Sequence, residues 1–166
     1  MVATTTDARI GEIRLAWWRE RLEALTRGEP PPAQPVLLAL AAHGGPALDA
    51  AALAGLEDGP LNALAGDWPR AAALRGERLF ALAARLLGGA PAAGLGRAWA
   101  AGEAARGGHG VPRVAADRCG GTALWPLAGL DRLGARDQQR HARGLPPERR
   151  ATPARQLILA RAALLG

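Results

Sequence analysis

Apolar side chains recur every three to four residues through most of the chain, and no useful length of it alternates with period two. This pattern predicts an all-α fold of about seven or eight helices. Proline and glycine set the expected boundaries. The predicted helices cover residues 10–25, 35–43, 46–59, 61–66, 68–87, 91–106, 124–143 (helical from Pro126) and 153–165, with a break or kink at Gly59-Pro60 and a loop over 107–122.

The first predicted helix, residues 10–25, is expected to be the element around which the others pack. Thr6 or Asp7 is its expected N-cap and Gly28 its stop. On a helical wheel its apolar residues form one broad arc, and Arg14 and Arg21 lie in the middle of that arc. The two sides of the arc are Ile10, Ile13, Trp17 and Ala24, then Leu15, Trp18, Leu22 and Leu25; Glu12, Arg19, Glu20 and Glu23 take the opposite, solvated face.

A charge within an apolar face needs a partner or water. Two interpretations of Arg14 and Arg21 follow. Either they point into a cavity that holds an anion, or they reach past a helix crossing and pair with a carboxylate of a neighbouring helix. Because adjacent helical residues point about 100° apart, Trp17 and Trp18 cannot face the same way. One of them is then left for a partner or a cavity.

Two later helices have distinctive patterns. The helix after Asp67, its expected N-cap, presents one apolar side, formed by Leu74, Leu79, Phe80, Leu82 and Leu86. The helix after Pro91 carries small residues on several sides and one large residue, Trp99. Small residues let helices approach closely, so we expect tight helix contacts there.

The composition supports helices and limits the function classes. A chain of 166 residues rich in Ala, Leu, Gly and Arg, with no Tyr, fits one helical domain, residues 1–166. The net charge of +6 comes from arginines spread over every segment, which disfavours nucleic-acid binding. No signal-peptide pattern or apolar run of membrane-spanning length is present, which predicts a cytoplasmic location.

The residues that commonly carry catalysis or bind metals are scattered. His43, His109 and His141 are expected at helix ends or in loops, and they form no metal motif. Cys119 stands alone beside Arg118, without a base nearby in sequence. The sequence therefore predicts no catalytic residue and no metal ligand.

The segment order resembles the squalene/phytoene synthase family over residues 10–165. The string from Arg14 to Arg19, RLAWWR, is similar to that family's RLxxWR helix. LEDG, ending at Gly59, resembles its LIDGM segment, and the stretch from Leu95 to Arg106 resembles its LGxAxQLTNILRD helix. The resemblance implies an isoprenoid-synthase-like helical bundle that lacks the family's first helices.

The departures from the family pattern concern the carboxylates. Enzymes of this family bind prenyl diphosphates through magnesium held by two Asp-rich clusters. The first cluster would lie upstream of residue 10. At the second, Arg106 matches but Gly107, Gly110 and Val111 replace the acidic positions, and in the LIDGM-like segment only Asp58 is kept.

The resemblance therefore implies a catalytically degenerate relative that acts as a scaffold, assembly or interaction protein, as in respiratory complex I assembly. Without the family's first helices, the bundle would expose an apolar face that a protein partner, a second copy or a peripheral membrane contact could cover. The candidates for this pocket or partner surface are Trp17, Trp18 and Trp99. The alternative is a prenyl-diphosphate-binding protein or transferase that uses Arg14, Arg19, Arg21 and Arg106 as anion donors, with magnesium as its only cofactor.

Overall fold

The computed structural model describes residues 7–44, 49–90, 92–112, 114–115 and 122–165, and their regular structure is entirely helical, which confirms the all-α prediction. Two short 3-10 turns, Gly55–Glu57 and Thr122–Leu124, accompany the α-helices. The α-helices are α1 (Ala8–Thr26), α2 (Pro35–His43), α3 (Ala50–Ala54), α4 (Asp58–Leu64), α5 (Trp68–Leu86), α6 (Ala93–Arg106), α7 (Trp125–Ala142) and α8 (Pro153–Leu165).

Side-chain caps explain where several helices begin. Asp7 accepts a hydrogen bond from the backbone N–H of Arg9 at 2.9 Å, and Asp67 accepts one from that of Arg70 at 3.1 Å. Each carboxylate satisfies a donor that a helix start leaves unpaired. The end of α1 is also determined locally, because Gly28 adopts a positive φ of 77°, a conformation that commonly ends helices.

One predicted boundary is wrong and others lie outside the described residues. We expected a break at Gly59-Pro60, but the α-helix is interrupted earlier, by the 3-10 turn Gly55–Glu57. Pro60 lies in the first turn of α4, where its missing N–H would have no intrahelical partner. Pro46, Pro91 and Cys119 lie outside the described residues.

The centre of the fold consists of α5, α6 and α7: α6 packs against both α5 and α7, and α8 packs against α7. Its buried cluster consists of Phe80, Ala84, Ala92, Leu95, Leu124 and Leu127. The expectation that α1 occupies the centre is wrong: α1 lies against α3 and α4 at the edge. On α5, Phe80 and Leu82 are buried as predicted, whereas Leu86 is 49% exposed because it lies in the helix's last turn.

Glycines set the spacing between the central helices. A Cβ on Gly76 of α5 would meet the backbone carbonyl of Gly96 on α6, and one on Gly134 of α7 would lie 2.7 Å from the carbonyl oxygen of Ala98. Such contacts are possible only where no side chain separates the two backbones. The prediction of close helix contacts along α6 is therefore confirmed.

Across the described helices, none combines the length and the apolar character that crossing a lipid bilayer requires.

Candidate functional site

A groove of about 930 Å³ runs between the α1–α4 side of the molecule and the outer faces of α5 and α6. Its size falls within the range of roughly 300–1,000 Å³ that small-molecule sites occupy. It exists because α1 packs on α3 and α4 rather than on α5 and α6, which leaves space between the two halves. We take this groove as the candidate functional site.

Most of the groove wall is apolar. Leu15, Trp18 and Leu22 contribute from α1, and they belong to one side of the arc that the wheel predicted. From α2, Leu37 and Leu40 contribute, and Leu37 is fully buried. The remaining apolar lining comes from α3 to α6 and includes Leu53, Leu56, Leu64, Ala71, Ala100 and Ala104.

An ion pair forms part of this wall. The guanidinium of Arg19 donates to Oε1 of Glu57 at 2.8 Å, and this hydrogen bond raises the pKa of Arg19 above its ordinary value. Arg19 itself is exposed, and its charge is compensated by the neighbouring carboxylate of Glu57.

Aromatic contacts line the opposite wall. The rings of Trp68 and His109 stack with centroids 3.4 Å apart, which fixes the segment after α6 against the start of α5. The guanidinium of Arg75 lies 5.3 Å from the ring centroid of Trp99, a cation–π contact. Glu103, also in this wall, accepts a hydrogen bond from Arg150 at 3.0 Å.

The four arginines predicted to bind an anion do not converge. Of these, Arg19 lines the groove, whereas Arg14 is an exposed residue of α1 that is not part of the groove lining. Arg21 is half-buried and lies 3.7 Å from Glu20. Arg106 is outside the groove lining and pairs with Asp137 of α7, so the set makes no common site.

The three tryptophans also separate. Trp18 lines the groove, and Trp17 is 37% exposed, with the two rings in edge contact at 5.2 Å. Their divergence follows from the helical geometry that the sequence implied. Trp99 packs against Phe80, with ring centroids 5.4 Å apart, beside the central core.

Arg106 belongs to a buried ion network that the sequence reading missed. It donates to Oδ1 of Asp137 at 3.2 Å and to the backbone carbonyl of Glu148 at 2.9 Å. Arg155 of α8 donates to the same Asp137 oxygen at 2.6 Å, and both Asp137 and Arg155 are buried. The spacing along α7 could have indicated that Asp137 is buried, since it lies four residues after the buried Leu133, on the same helix face.

Glu148 extends this network towards the loop before α8. Arg136 donates to it at 2.6 Å and the hydroxyl of Thr152 at 2.7 Å. These hydrogen bonds favour the charged carboxylate and lower the pKa of Glu148 from 4.5 to about 2. Ion pairs and hydrogen bonds of charged side chains therefore hold α8 and the loop before it against α7.

His43 and His141 are exposed in the last turns of α2 and α7. Within the described ranges, no three His, Cys, Asp or Glu side chains gather in an arrangement that could hold a metal ion.

No protein-family model, curated protein or solved structure matches this chain.

Proposed function

We propose that this protein binds an apolar ligand of small-molecule size in the groove. The observation that carries the proposal is the groove itself, about 930 Å³ of space with a largely apolar wall that includes two tryptophans, Trp18 and Trp68. Apolar surface of this extent gains free energy when a ligand displaces its water. The ion pair between Arg19 and Glu57 supports the same interpretation, because it lowers the electrostatic cost of covering this wall.

The proposal predicts that a neutral apolar fluorophore, N-phenylnaphthylamine, binds and becomes more emissive. Ala104→Phe places a phenyl ring in the groove from α6 and should weaken binding at least about tenfold. Ala142→Phe is the matched control, since Ala142 is exposed at the end of α7 outside the groove lining. Equal binding by the two variants, or no binding by the wild type, contradicts the proposal; circular dichroism verifies that each variant is folded.

A second candidate is the scaffold or assembly role that the family resemblance implies. The observation that favours it is the exposure, outside the groove, of apolar side chains on α1 and α2: Ile13 is 69% exposed and Leu38 is 47% exposed. The sequence of α2, PVLLALAAH, contains no Asp, Glu, Lys or Arg, and a helix that is apolar all round is normally covered. We propose that an acidic protein partner covers this surface, since two copies of a chain with a net charge of +6 repel each other.

A photo-crosslinking residue at position 13 tests this second candidate in the cell that makes the protein. The expected result is a discrete heteromeric product from position 13 that is absent from position 12, where Glu12 is also exposed. A homodimer product, or identical products from both positions, contradicts it.

A further inference from the structure

We infer that the ligand of the groove is an apolar chain that ends in a single anionic group, a long-chain carboxylate, and that Arg75 binds this group. The inference rests on the proposed groove function and specifies the ligand class. It depends on the balance of charge around the groove wall.

Among the described residues, four Arg and Glu side chains line the groove, and three of them have ionic partners. Arg19 and Glu57 neutralise each other at 2.8 Å. Glu103 lies 3.0 Å from Arg150 and 3.8 Å from Arg106, neither of which lines the groove.

Arg75 differs from these three. No carboxylate within the described part of the chain forms an ion pair with it, and its recorded contact is with the π face of Trp99. The wall therefore carries one uncompensated positive charge. A ligand with one negative charge complements it, whereas the second charge of a dianionic head would have no cationic partner left at this wall.

Arg75 has neighbours at both its base and its guanidinium. A Cβ on Gly59 of α4 would lie only 2.7 Å from the Cβ of Arg75, so the backbone of α4 holds the base of the side chain. At the other end, the guanidinium lies over Trp99, whose ring contacts the core residue Phe80. Arg75 is an exposed residue, so an anion can reach its guanidinium, and the contact with Trp99 restricts the directions that the guanidinium takes.

The apolar part of the same ligand has a surface to follow. Arg75 is on α5, and the lining continues through Ala71 and Leu64 to the leucines of α1 to α3. A carboxylate at Arg75 would thus leave the alkyl chain against apolar wall, while the guanidinium offers paired N–H donors to the head group.

Decanoate and its methyl ester are the probes, since they share the alkyl chain and differ in charge. Both are measured by displacement of N-phenylnaphthylamine from the full chain. Decanoate should bind about tenfold more tightly than the ester, equivalent to about 1.4 kcal/mol. Arg75→Gln should abolish this preference without weakening the ester, and Arg75→Lys should restore part of it.

Arg70→Gln is the matched control, because Arg70 is exposed on α5 and outside the groove lining. It should leave the preference intact. Equal affinities for acid and ester, or a preference that survives Arg75→Gln, would overturn the inference while the groove function stands. Failure of both probes and of the fluorophore would instead defeat the groove function.

A final arm distinguishes a free acid from a lipid surface. Vesicles of phosphatidylglycerol carry the same combination of alkyl chain and negative charge. Binding to these vesicles without binding of monomeric decanoate would overturn the inference; binding of decanoate with no vesicle binding supports it.

Discussion

The two halves of this molecule pack in opposite ways. Between α5, α6 and α7, backbone lies directly on backbone at Gly76, Gly96, Gly102 and Gly134. On the α1–α4 side, leucine, alanine and tryptophan side chains line the groove where this half faces α5 and α6. The comparison shows how one helical chain builds both a rigid frame and a cavity. The glycine contacts leave no space between α5, α6 and α7, whereas the larger side chains of the other half leave the groove unfilled.

The largest effect is expected from disturbing the rigid half. Gly76→Ala would drive a Cβ into the backbone of Gly96, which neither helix can relieve without moving apart. We expect a loss of about 3 kcal/mol in the free energy of unfolding, measured by urea denaturation. At Gly110 a Cβ has open space, so Gly110→Ala should change stability by less than about 0.5 kcal/mol. Similar losses from the two substitutions would contradict the backbone-contact explanation.

A smaller effect is expected in the half that forms the groove. Leu37 and Leu38 are neighbours on α2, but Leu37 is fully buried and Leu38 is 47% exposed. Leu37→Ala should lower the free energy of unfolding by about 2 kcal/mol. This value is near the lower limit for buried leucines, because α2 makes few contacts beyond α1. Leu38→Ala should be neutral within about 0.5 kcal/mol. The opposite order of losses in thermal unfolding would contradict a structural role for the burial of Leu37.

The smallest effect concerns the attachment of α8 to the rigid half. The pKa of Glu148 in the folded protein, about 2, lies below its ordinary value of 4.5, so folding favours the charged carboxylate. The stabilisation is complete above pH 4.5 and is lost as the pH falls from 4.5 towards 2. Glu148→Gln should lower stability at neutral pH by about 1 kcal/mol and reduce this acid dependence.

Thr152→Val removes one of the hydrogen bonds to Glu148 and should give an intermediate effect. Urea denaturation at several pH values measures both variants. An unchanged pH dependence in Glu148→Gln would show that the carboxylate does not contribute in this way.

The sequence predicted what depends on neighbouring residues. Asp67 caps α5 because its carboxylate reaches a donor three residues away, and Pro153 begins α8 as expected. Small residues on α6 correctly indicated close helix contacts. Each of these signals lies within one helix.

Features that depend on which helices meet were not predictable in the same way. Other helices were expected to pack around the apolar arc of α1, yet Leu15 is buried and Ile13 is exposed, because only one side of the helix meets α3 and α4. The buried pair of Asp137 and Arg155 joins residues from different helices. The groove likewise exists only through the relative placement of six helices.

The glycine contacts have an evolutionary consequence. Any coding change at Gly76, Gly96, Gly102 or Gly134 enlarges the residue, so drift at these four positions should be purged while the walls of the groove diversify. Remote descendants of this gene should therefore share the spacing of those glycines after overall identity has vanished. A search keyed to that spacing, rather than to tryptophans or arginines, is the way to find them.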